Sequence, residues 1–226
     1  MHTDATYIRN NGKQEYVFVS SNGKDTLYQH FNTKGKEAIE NTPVKDYQFT
    51  LIHDHDKTYF NYGQSHQKCL AHELRYIEGS IINEPDFTWN KDMKELLQTT
   101  IHKFKEKNLS NSDKEEVKKK YDKIINTGLK EYKKHPSTKY YTDGFNTFNR
   151  LKDYKEWILF FLDHEDIPYT NNCAELRLRK IKRKYRQVGS FRSSKSIDYY
   201  CDFMSVIESS KADGKNIYQV LKSKVL

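Results

Sequence analysis

Polar and apolar residues alternate along much of the first sixty positions of the chain, which is the pattern of half-buried β-strands. The pair Asn11-Gly12 and a second Asn-Gly pair at residues 22–23 interrupt this alternation where tight turns would join neighbouring strands. A short helix is predicted over residues 34–40 and ends before Pro43. The pattern predicts four strands, over residues 2–8, 15–20, 26–31 and 46–53.

After residue 59 the apolar positions change to the spacing of three and four that is typical of amphipathic helices. One helix is predicted around residues 69–77, and residues 90–162 predict several charged, aromatic helices. Ser112 and Glu115 form a capping box for one of these helices. Another helix is predicted from apolar side chains on a single face, namely Phe148, Leu151, Ile158 and Leu162.

Two more helices are predicted in the last third of the chain. The first covers residues 171–184 and begins at an asparagine cap. The second follows a break at Gly189-Ser190 and ends at Gly214. Strands followed by helices in one chain predict an α/β fold in which helices pack on the faces of a sheet.

The composition changes this picture through the distribution of charge. The 226-residue chain has 39 Lys and Arg against 31 Asp and Glu, which gives a net charge of +8. Residues 177–195 contain nine basic residues and no acidic one. Such a cluster indicates a polyanionic partner such as a nucleic-acid backbone, because each phosphate contact releases counterions. A solvated basic face without a function is the alternative interpretation.

Other features exclude whole classes of protein. No apolar run approaches the roughly 18 to 20 residues that a membrane helix needs. The N-terminus has neither the basic nor the apolar region of a secretory signal. The three cysteines, Cys69, Cys173 and Cys201, follow no disulfide pattern. We therefore expect a cytoplasmic protein in a reducing compartment.

Three acidic residues lie at positions where the predicted strands and helix do not require a carboxylate. Asp4 lies inside the first predicted strand, Asp54 follows the fourth, and Glu175 lies in the first turns of a helix. Together beside a sheet they would offer hard oxygen ligands that suit Mg²⁺ or Mn²⁺ in phosphodiester chemistry. Taken singly, a strand-edge position, a helix cap and a helix dipole would explain them. Asp56 is a second candidate for the middle carboxylate.

The residues around these carboxylates resemble the motifs of the insertion-sequence 66 type transposases, which are DDE enzymes with a ribonuclease-H-like fold. The family motifs are an H-A-D-E-T strand, an Asp followed by Tyr and C-x-A-H with Arg, an N-N-x-A-E-R helix before R-K and G-S, and an I-E-T-A-K-x-N-G stretch. The matches occur in family order and are His2-Thr3-Asp4-Ala5-Thr6; Asp54 with Tyr59; Cys69-Leu70-Ala71-His72 with Arg75; Asn171-Asn172-Cys173-Ala174-Glu175 with Arg177, Arg183-Lys184 and Gly189-Ser190; and Ile207-Glu208-Ser209-Ser210-Lys211 with Gly214.

The resemblance implies that Asp4, Asp54 and Glu175 are the catalytic and metal-binding residues, with two Mg²⁺ or Mn²⁺ ions as cofactors. Asp54 is preferred to Asp56 because Tyr59 then falls at the family spacing. Basic residues that follow the third motif would bind DNA, namely Arg177, Arg179, Lys180, Lys182, Arg183, Lys184 and Arg186. Other motif residues would support the three carboxylates, namely Asn171, Asn172, His72 and Arg75.

The resemblance also implies a domain organisation and a function. Residues 1–79 and 166–226 would form a ribonuclease-H-like core with a mixed sheet, residues 80–165 would be a helical insertion, and the N-terminal DNA-recognition region of such transposases would be lacking. The implied activity is metal-dependent DNA cleavage and strand transfer. Element ends and target DNA would be the partners, and a homo-oligomer and accessory proteins of the same element are left open.

Two alternatives to this function remain. The chain could be a truncated, inactive remnant that acts as a basic DNA-binding module, or a nuclease of the same fold that does not join DNA. The sequence also departs from the family pattern at three positions without removing a carboxylate. Ala5, His55 and Leu176 stand where the family usually has Glu, Gly and Arg.

Two other groups of residues allow a functional and a structural interpretation. His66, Cys69 and His72 have metal-ligand chemistry, but positions six apart on a helix do not close on one ion and no fourth ligand is evident. Packing, or a place bordering the active site, is therefore the preferred interpretation for Cys69 and His72. Aromatic residues of the insertion could stack on nucleotides, although core packing is preferred; they are Tyr132, Tyr140, Tyr141, Tyr154 and Trp157.

Overall fold

A mixed five-stranded sheet is the centre of the fold. The computed structural model describes residues 1–137 and 142–225, and within these residues the strand order is β3-β2-β1-β4-β5. The first strand pairs antiparallel with the second and parallel with the fourth. The strands are β1 (His2–Asn10), β2 (Lys13–Ser21), β3 (Thr26–Phe31), β4 (Thr50–His53) and β5 (Ser65–Lys68).

The first hairpin confirms the predicted turn. Asn11 and Gly12 both have positive φ angles, 47° and 80°, as a two-residue turn between right-twisted strands requires. The fourth strand is shorter than predicted, and the fifth was not predicted at all. Ser65–Lys68 carries no apolar residue, yet its last three residues are buried. The helix predicted around residues 69–77 is present and extends from Leu70 to Asn83.

Helices make up most of the remaining structure. Short 3-10 turns lie at Lys57–Tyr59 and at Phe160–Leu162. The α-helices within the described residues are α1 (Lys36–Ile39), α2 (Leu70–Asn83), α3 (Trp89–Lys105), α4 (Asn111–Lys134), α5 (Asp143–Asp153), α6 (Lys155–Leu159), α7 (Asn172–Val188), α8 (Ser194–Ala212) and α9 (Ile217–Val225). In the part of the chain that is described, no helix is long and apolar enough to cross a membrane.

Two helix predictions were wrong in detail. The capping box of α4 consists of Ser110 and Asp113, and each side chain accepts a hydrogen bond from the backbone N–H of the other residue. Ser112 and Glu115 therefore lie inside this helix. The single helix predicted between residues 148 and 162 is interrupted at Tyr154, where α5 ends and α6 begins.

The chain forms two compact units. Met1–His66 and the chain from Asn171 onward form the first unit, and Gln67–Thr170 forms the second. In the first unit α7 and α8 cover one face of the sheet, where Ile8 and Val19 pack against Leu178 and Ile197. The other face packs on α1 and on the 3-10 turn Lys57–Tyr59 through residues that include Phe18 and Leu51. This arrangement is a ribonuclease-H-like mixed sheet flanked by helices.

The second unit is helical and is built around one apolar core. Trp89, Tyr121 and Phe148 are almost completely buried in it, and Tyr132 packs with them. The core interpretation of Tyr132 is therefore confirmed. Tyr154 and Trp157 are half-buried, with ring centroids 5.0 Å apart. Tyr140 and Tyr141, which were also predicted to pack in the core, lie outside the described residues.

Candidate active site

The register of the sheet brings Asp4 and Asp54 to neighbouring positions. His2 of β1 pairs with Ile52 of the parallel strand β4. Asp4 follows His2 by two residues, and Asp54 follows Ile52 by two residues. Because positions two apart share a face of the sheet, Asp4 and Asp54 come next to each other on the same face. The charge of Asp54 acts on Asp4, which agrees with this placement.

Glu175 reaches the same place from a helix. It lies in the first turn of α7, and this helix packs on the sheet face that contains Ile8. Side chains two positions apart on a strand lie on the same face of the sheet. Asp4 therefore lies on the face that packs against α7, as Ile8 does. The charge of Glu175 also acts on Asp4. The structure therefore brings together all three predicted carboxylates within the first unit.

The environment of Asp4 strongly disfavours its charged form. Burial raises the pKa of Asp4 to about 7, and the negative charges of Asp54 and Glu175 add to this effect. The backbone N–H of Ala5, which donates to Asp4 Oδ1 at 2.7 Å, and the positive charge of Lys34 act in the opposite direction. Asp4 therefore carries its charge at neutral pH only at an electrostatic cost, which a cation beside it would lower.

Asn171 ties the start of α7 to the strand that carries Asp4. His2 donates from Nδ1 to Asn171 Oδ1 at 3.0 Å, and Asn171 Nδ2 donates to the carbonyl of Thr3 at 2.9 Å. Asn171 is the N-cap residue of α7 as predicted, but its side chain makes no capping hydrogen bond. Burial lowers the pKa of His2 to about 4, so its ring is neutral at pH 7.

The second candidate for the middle carboxylate, Asp56, has several protein partners. Its Oδ1 accepts the backbone N–H of Thr58 at 3.0 Å, and its Oδ2 lies 2.7 Å from Lys34 Nζ. Burial would raise the pKa of Asp56, but the hydrogen bonds from Lys34 and Thr58 outweigh it and lower the pKa. Asp54 accepts the backbone N–H of Asp56 at 3.1 Å on one oxygen and keeps further acceptor capacity.

Lys34 is a residue of this site that the sequence analysis missed. It lies in the turn between β3 and α1, its side chain is 33% exposed, and its charge is coupled to those of Asp4 and Asp54. A single lysine in the polar segment Asn32-Thr33-Lys34-Gly35 gives no signal in the sequence. Only the folded chain reveals its place beside the carboxylates.

The basic residues of α7 divide into two groups. Arg177 is bound by the protein, since its guanidinium donates to Thr26 Oγ1 at 2.6 Å and to the Cys173 carbonyl at 3.0 Å. Lys180 forms an ion pair with the buried Glu208. The others are exposed or, for Lys184, half-buried; they are Arg179, Lys182, Arg183, Lys184 and Arg186.

Helical spacing places several of these exposed cations in line with Glu175. Arg179, Lys182 and Arg186 follow it by four, seven and eleven residues, which is one face of an α-helix. We call Arg179, Lys182 and Arg186 the basic stripe of α7. The third carboxylate thus stands at the N-terminal end of a row of positive charges.

The histidines near the second motif have defined neighbours in the first unit. His53 is fully buried; its Nδ1 donates to the carbonyl of Asp54, and its Nε2 lies 2.9 Å from Nδ1 of His66. Cys69 immediately precedes α2, and His72 and Arg75 lie on α2, in the second unit. A role for His72 and Arg75 beside the carboxylates therefore stays a prediction, as does the preferred interpretation of Cys69 and His72 as packing residues or residues that border the active site.

The fold and the acidic cluster together define a ribonuclease-H-like α/β protein with carboxylates beside its two parallel strands. The model of the IS66 family of transposases matches residues 1–198, and the chain belongs to this family. The match includes Asp4, Asp54, Glu175 and the whole of α7. No curated protein and no solved structure matches the chain. Membership indicates a transposase function, and DNA is the partner on which transposases act.

Proposed function

We propose that this chain is the catalytic core of a DDE transposase, which cleaves DNA strands at the ends of an insertion sequence in the cytoplasm and joins them to target DNA. The observation that carries the proposal is the convergence of Asp4, Asp54 and Glu175 from three separate elements. Burial and mutual repulsion hold the pKa of Asp4 at about 7, far above its usual range. A bound cation would stabilise such a cluster of like charges.

The three carboxylates fit a divalent metal. They offer hard oxygen ligands, as Mg²⁺ and Mn²⁺ require, and their repulsion would be relieved by positive charge. Asp4, Asp54 and Glu175 would hold two such ions. When bound, the ions supply Lewis acidity to phosphoryl oxygens and lower the pKa of an attacking hydroxyl. The N–H groups of Ala5 and Asp56 orient the carboxylates of Asp4 and Asp54 through hydrogen bonds of 2.7 and 3.1 Å.

The basic stripe of α7 would hold the DNA backbone against this cluster. Its cations are exposed, and they share a helix face with Glu175. Arg183 and Lys184 would extend the contact, whereas Arg177 and Lys180 act mainly through protein partners. Water attacks the phosphorus first and the 3′ oxygen leaves. The freed 3′-hydroxyl then attacks a phosphate of the target strand, whose own 3′ oxygen leaves as the new phosphodiester forms, with no covalent protein intermediate.

The test is a strand-transfer assay with a linear duplex that has free 3′-hydroxyl ends and a supercoiled plasmid as target, in Mg²⁺ or Mn²⁺. Asp4→Asn, Asp54→Asn and Glu175→Gln should each reduce joined product by about a thousandfold or more, because each removes a charge needed in the transition state. DNA binding should stay within about twofold of wild type. The matched control is Asp46→Asn, which changes an exposed carboxylate of the same unit and should be fully active.

The other outcomes are equally informative. An active Glu175→Gln protein would contradict the role of that residue. Metal-dependent nicking or cutting of the plasmid without joined product would favour a nuclease of the same fold. Salt-dependent DNA binding with no metal-dependent product from the wild-type chain would contradict a catalytic function and support a DNA-binding module.

A further inference from the structure

The ion pair between Lys34 and Asp56 lies beside the acidic cluster and is not one of the predicted sites. Lys34 Nζ is 2.7 Å from Asp56 Oδ2. The opposite oxygen of Asp56 accepts the backbone N–H of Thr58, so the carboxylate is held by the first residues of a 3-10 turn. Lys34 is therefore anchored by a residue that is itself fixed to the backbone.

The same aspartate connects this pair to the proposed metal ligands. The backbone N–H of Asp56 donates to Asp54 Oδ1 at 3.1 Å. The positions of Lys34, Asp56 and Asp54 are thus linked through two consecutive contacts. Asp4 completes the group, because the charge of Lys34 acts on both Asp4 and Asp54.

The ammonium group of Lys34 has capacity for another partner. An ammonium has three N–H donors, and the ion pair with Asp56 needs one of them. The side chain is 33% exposed, so solvent and ligands can reach it. It comes from the turn after β3, whereas the basic stripe belongs to α7. A DNA strand at the carboxylates would therefore meet cations from two separate elements.

We propose that Lys34 contacts a backbone phosphate of the DNA strand at the acidic cluster and that Asp56 is the residue that positions it; this inference rests on the proposed function. A cation that acts on Asp4 and Asp54 lessens their repulsion when no metal is bound. Once metal ions neutralise the carboxylates, the same cation faces the substrate phosphate. Lys34 thus opposes metal binding slightly and favours DNA binding, and these two effects have opposite signs.

The experiment measures both effects in one variant, Lys34→Gln. With Ca²⁺ and a 30-base-pair duplex, the slope of log affinity against log salt should decrease by about one, and affinity should fall about three- to tenfold. Without DNA, affinity for Mn²⁺ measured by calorimetry should rise about three- to tenfold, because a positive charge near the ion has been removed. Lys34→Arg retains the charge and should preserve the wild-type slope.

The matched control is Lys36→Gln, which removes the same charge two residues further along. Lys36 is 79% exposed and pairs with Glu40 at the surface. Its removal should change neither the salt slope nor the Mn²⁺ affinity. A wild-type slope for Lys34→Gln, or an equal loss of slope for Lys36→Gln, would overturn the phosphate contact.

Asp56→Asn tests the positioning role. Asparagine can still accept the N–H of Thr58, so the turn should be preserved and the thermal unfolding temperature should stay close to wild type. We expect unchanged or tighter DNA binding with strand transfer reduced about tenfold, because Lys34 retains its charge and loses its anchor. Asp56→Glu should restore part of the rate. Wild-type strand transfer by Asp56→Asn would overturn the positioning role.

Failure of this inference can be told apart from failure of the proposed function. If the wild-type chain binds no divalent cation and makes no joined product, the proposed function is wrong. The salt slopes of the Lys34 and Lys36 variants still decide whether Lys34 contacts phosphate.

Discussion

Each unit of this protein buries charged side chains, but the two units arrange them in opposite ways. In the second unit Lys68 and Glu73 are almost completely buried, with Nζ and Oε1 3.7 Å apart, and Arg150 lies 3.9 Å from the other carboxylate oxygen. In the first unit the like charges of Asp54 and Glu175 act on Asp4, and the positive charge of Lys34 opposes them in part. Opposite charges compensate one another inside a protein, whereas like charges need a further partner. The contrast distinguishes a structural cluster from a functional one.

The two clusters should therefore respond to charge removal with opposite signs. The largest effect is expected in the helical unit. Glu73→Gln removes the buried carboxylate charge that lies 3.7 Å from Lys68 Nζ and should lower the free energy of unfolding by about 3–5 kcal/mol. Denaturant unfolding of the purified variant measures the change.

A compensated double variant is the control for that prediction. Lys68→Met with Glu73→Leu replaces the pair by apolar side chains of similar volume, and should recover most of the lost stability. If Glu73→Gln is as stable as wild type, the cluster of the second unit is not a compensated ion pair and the contrast fails.

The intermediate effect is expected at Asp4, where removal of charge should stabilise the protein. The folded pKa of about 7 exceeds the ordinary value of 3.8, so the folded state binds more protons between those pH values. In EDTA the free energy of unfolding of the wild type should therefore fall as pH rises from about 4 to about 7, and stay low above it. Asp4→Asn should remove this slope and be more stable by about 1–3 kcal/mol at pH 8.

Divalent ions should reverse this order at pH 8. A metal that binds only the folded wild type adds stability that Asp4→Asn cannot gain. The wild type should then become the more stable protein in Mg²⁺, as measured by thermal unfolding. Equal unfolding curves of the two proteins in EDTA at pH 5 and pH 8 would mean that Asp4 is not held among like charges.

The sequence predicted the elements that local patterns define and missed those that depend on tertiary contacts. The β1–β2 hairpin followed from Asn11-Gly12. The carboxylates of the cluster were predicted together because the residues around them resemble the motifs of the transposase family. The fifth strand was missed because the burial of Ser65–Lys68 depends on tertiary contacts that leave no apolar pattern. Gln67 illustrates this, since its amide bonds to the backbone carbonyl of Ile158, which is 91 residues away.

The sequence also did not indicate the contacts that support the candidate site. An asparagine before a helix is an ordinary cap, and nothing in the sequence indicates that Asn171 would instead bond to His2 and Thr3. Lys34 and Asp56 meet only because the turn after β3 lies near the end of β4. Local patterns thus predicted the residues that carry charge, whereas the partners that orient them depend on long-range packing.

The smallest effect is expected at Asn171, which is buried and uncharged and so belongs to neither kind of cluster. Asn171→Ala removes hydrogen bonds to His2 Nδ1 and the Thr3 carbonyl and should lower the free energy of unfolding by about 1–2 kcal/mol. The exposed neighbour Asn172 is the matched control, and Asn172→Ala should change stability by less than about 0.5 kcal/mol. Because the lost bonds are neutral, the Asn171 effect should be the same at pH 6 and pH 8 in EDTA. A loss that grows between these pH values would show that Asn171 also controls the repulsion within the acidic cluster, by setting the distance between Asp4 and Glu175.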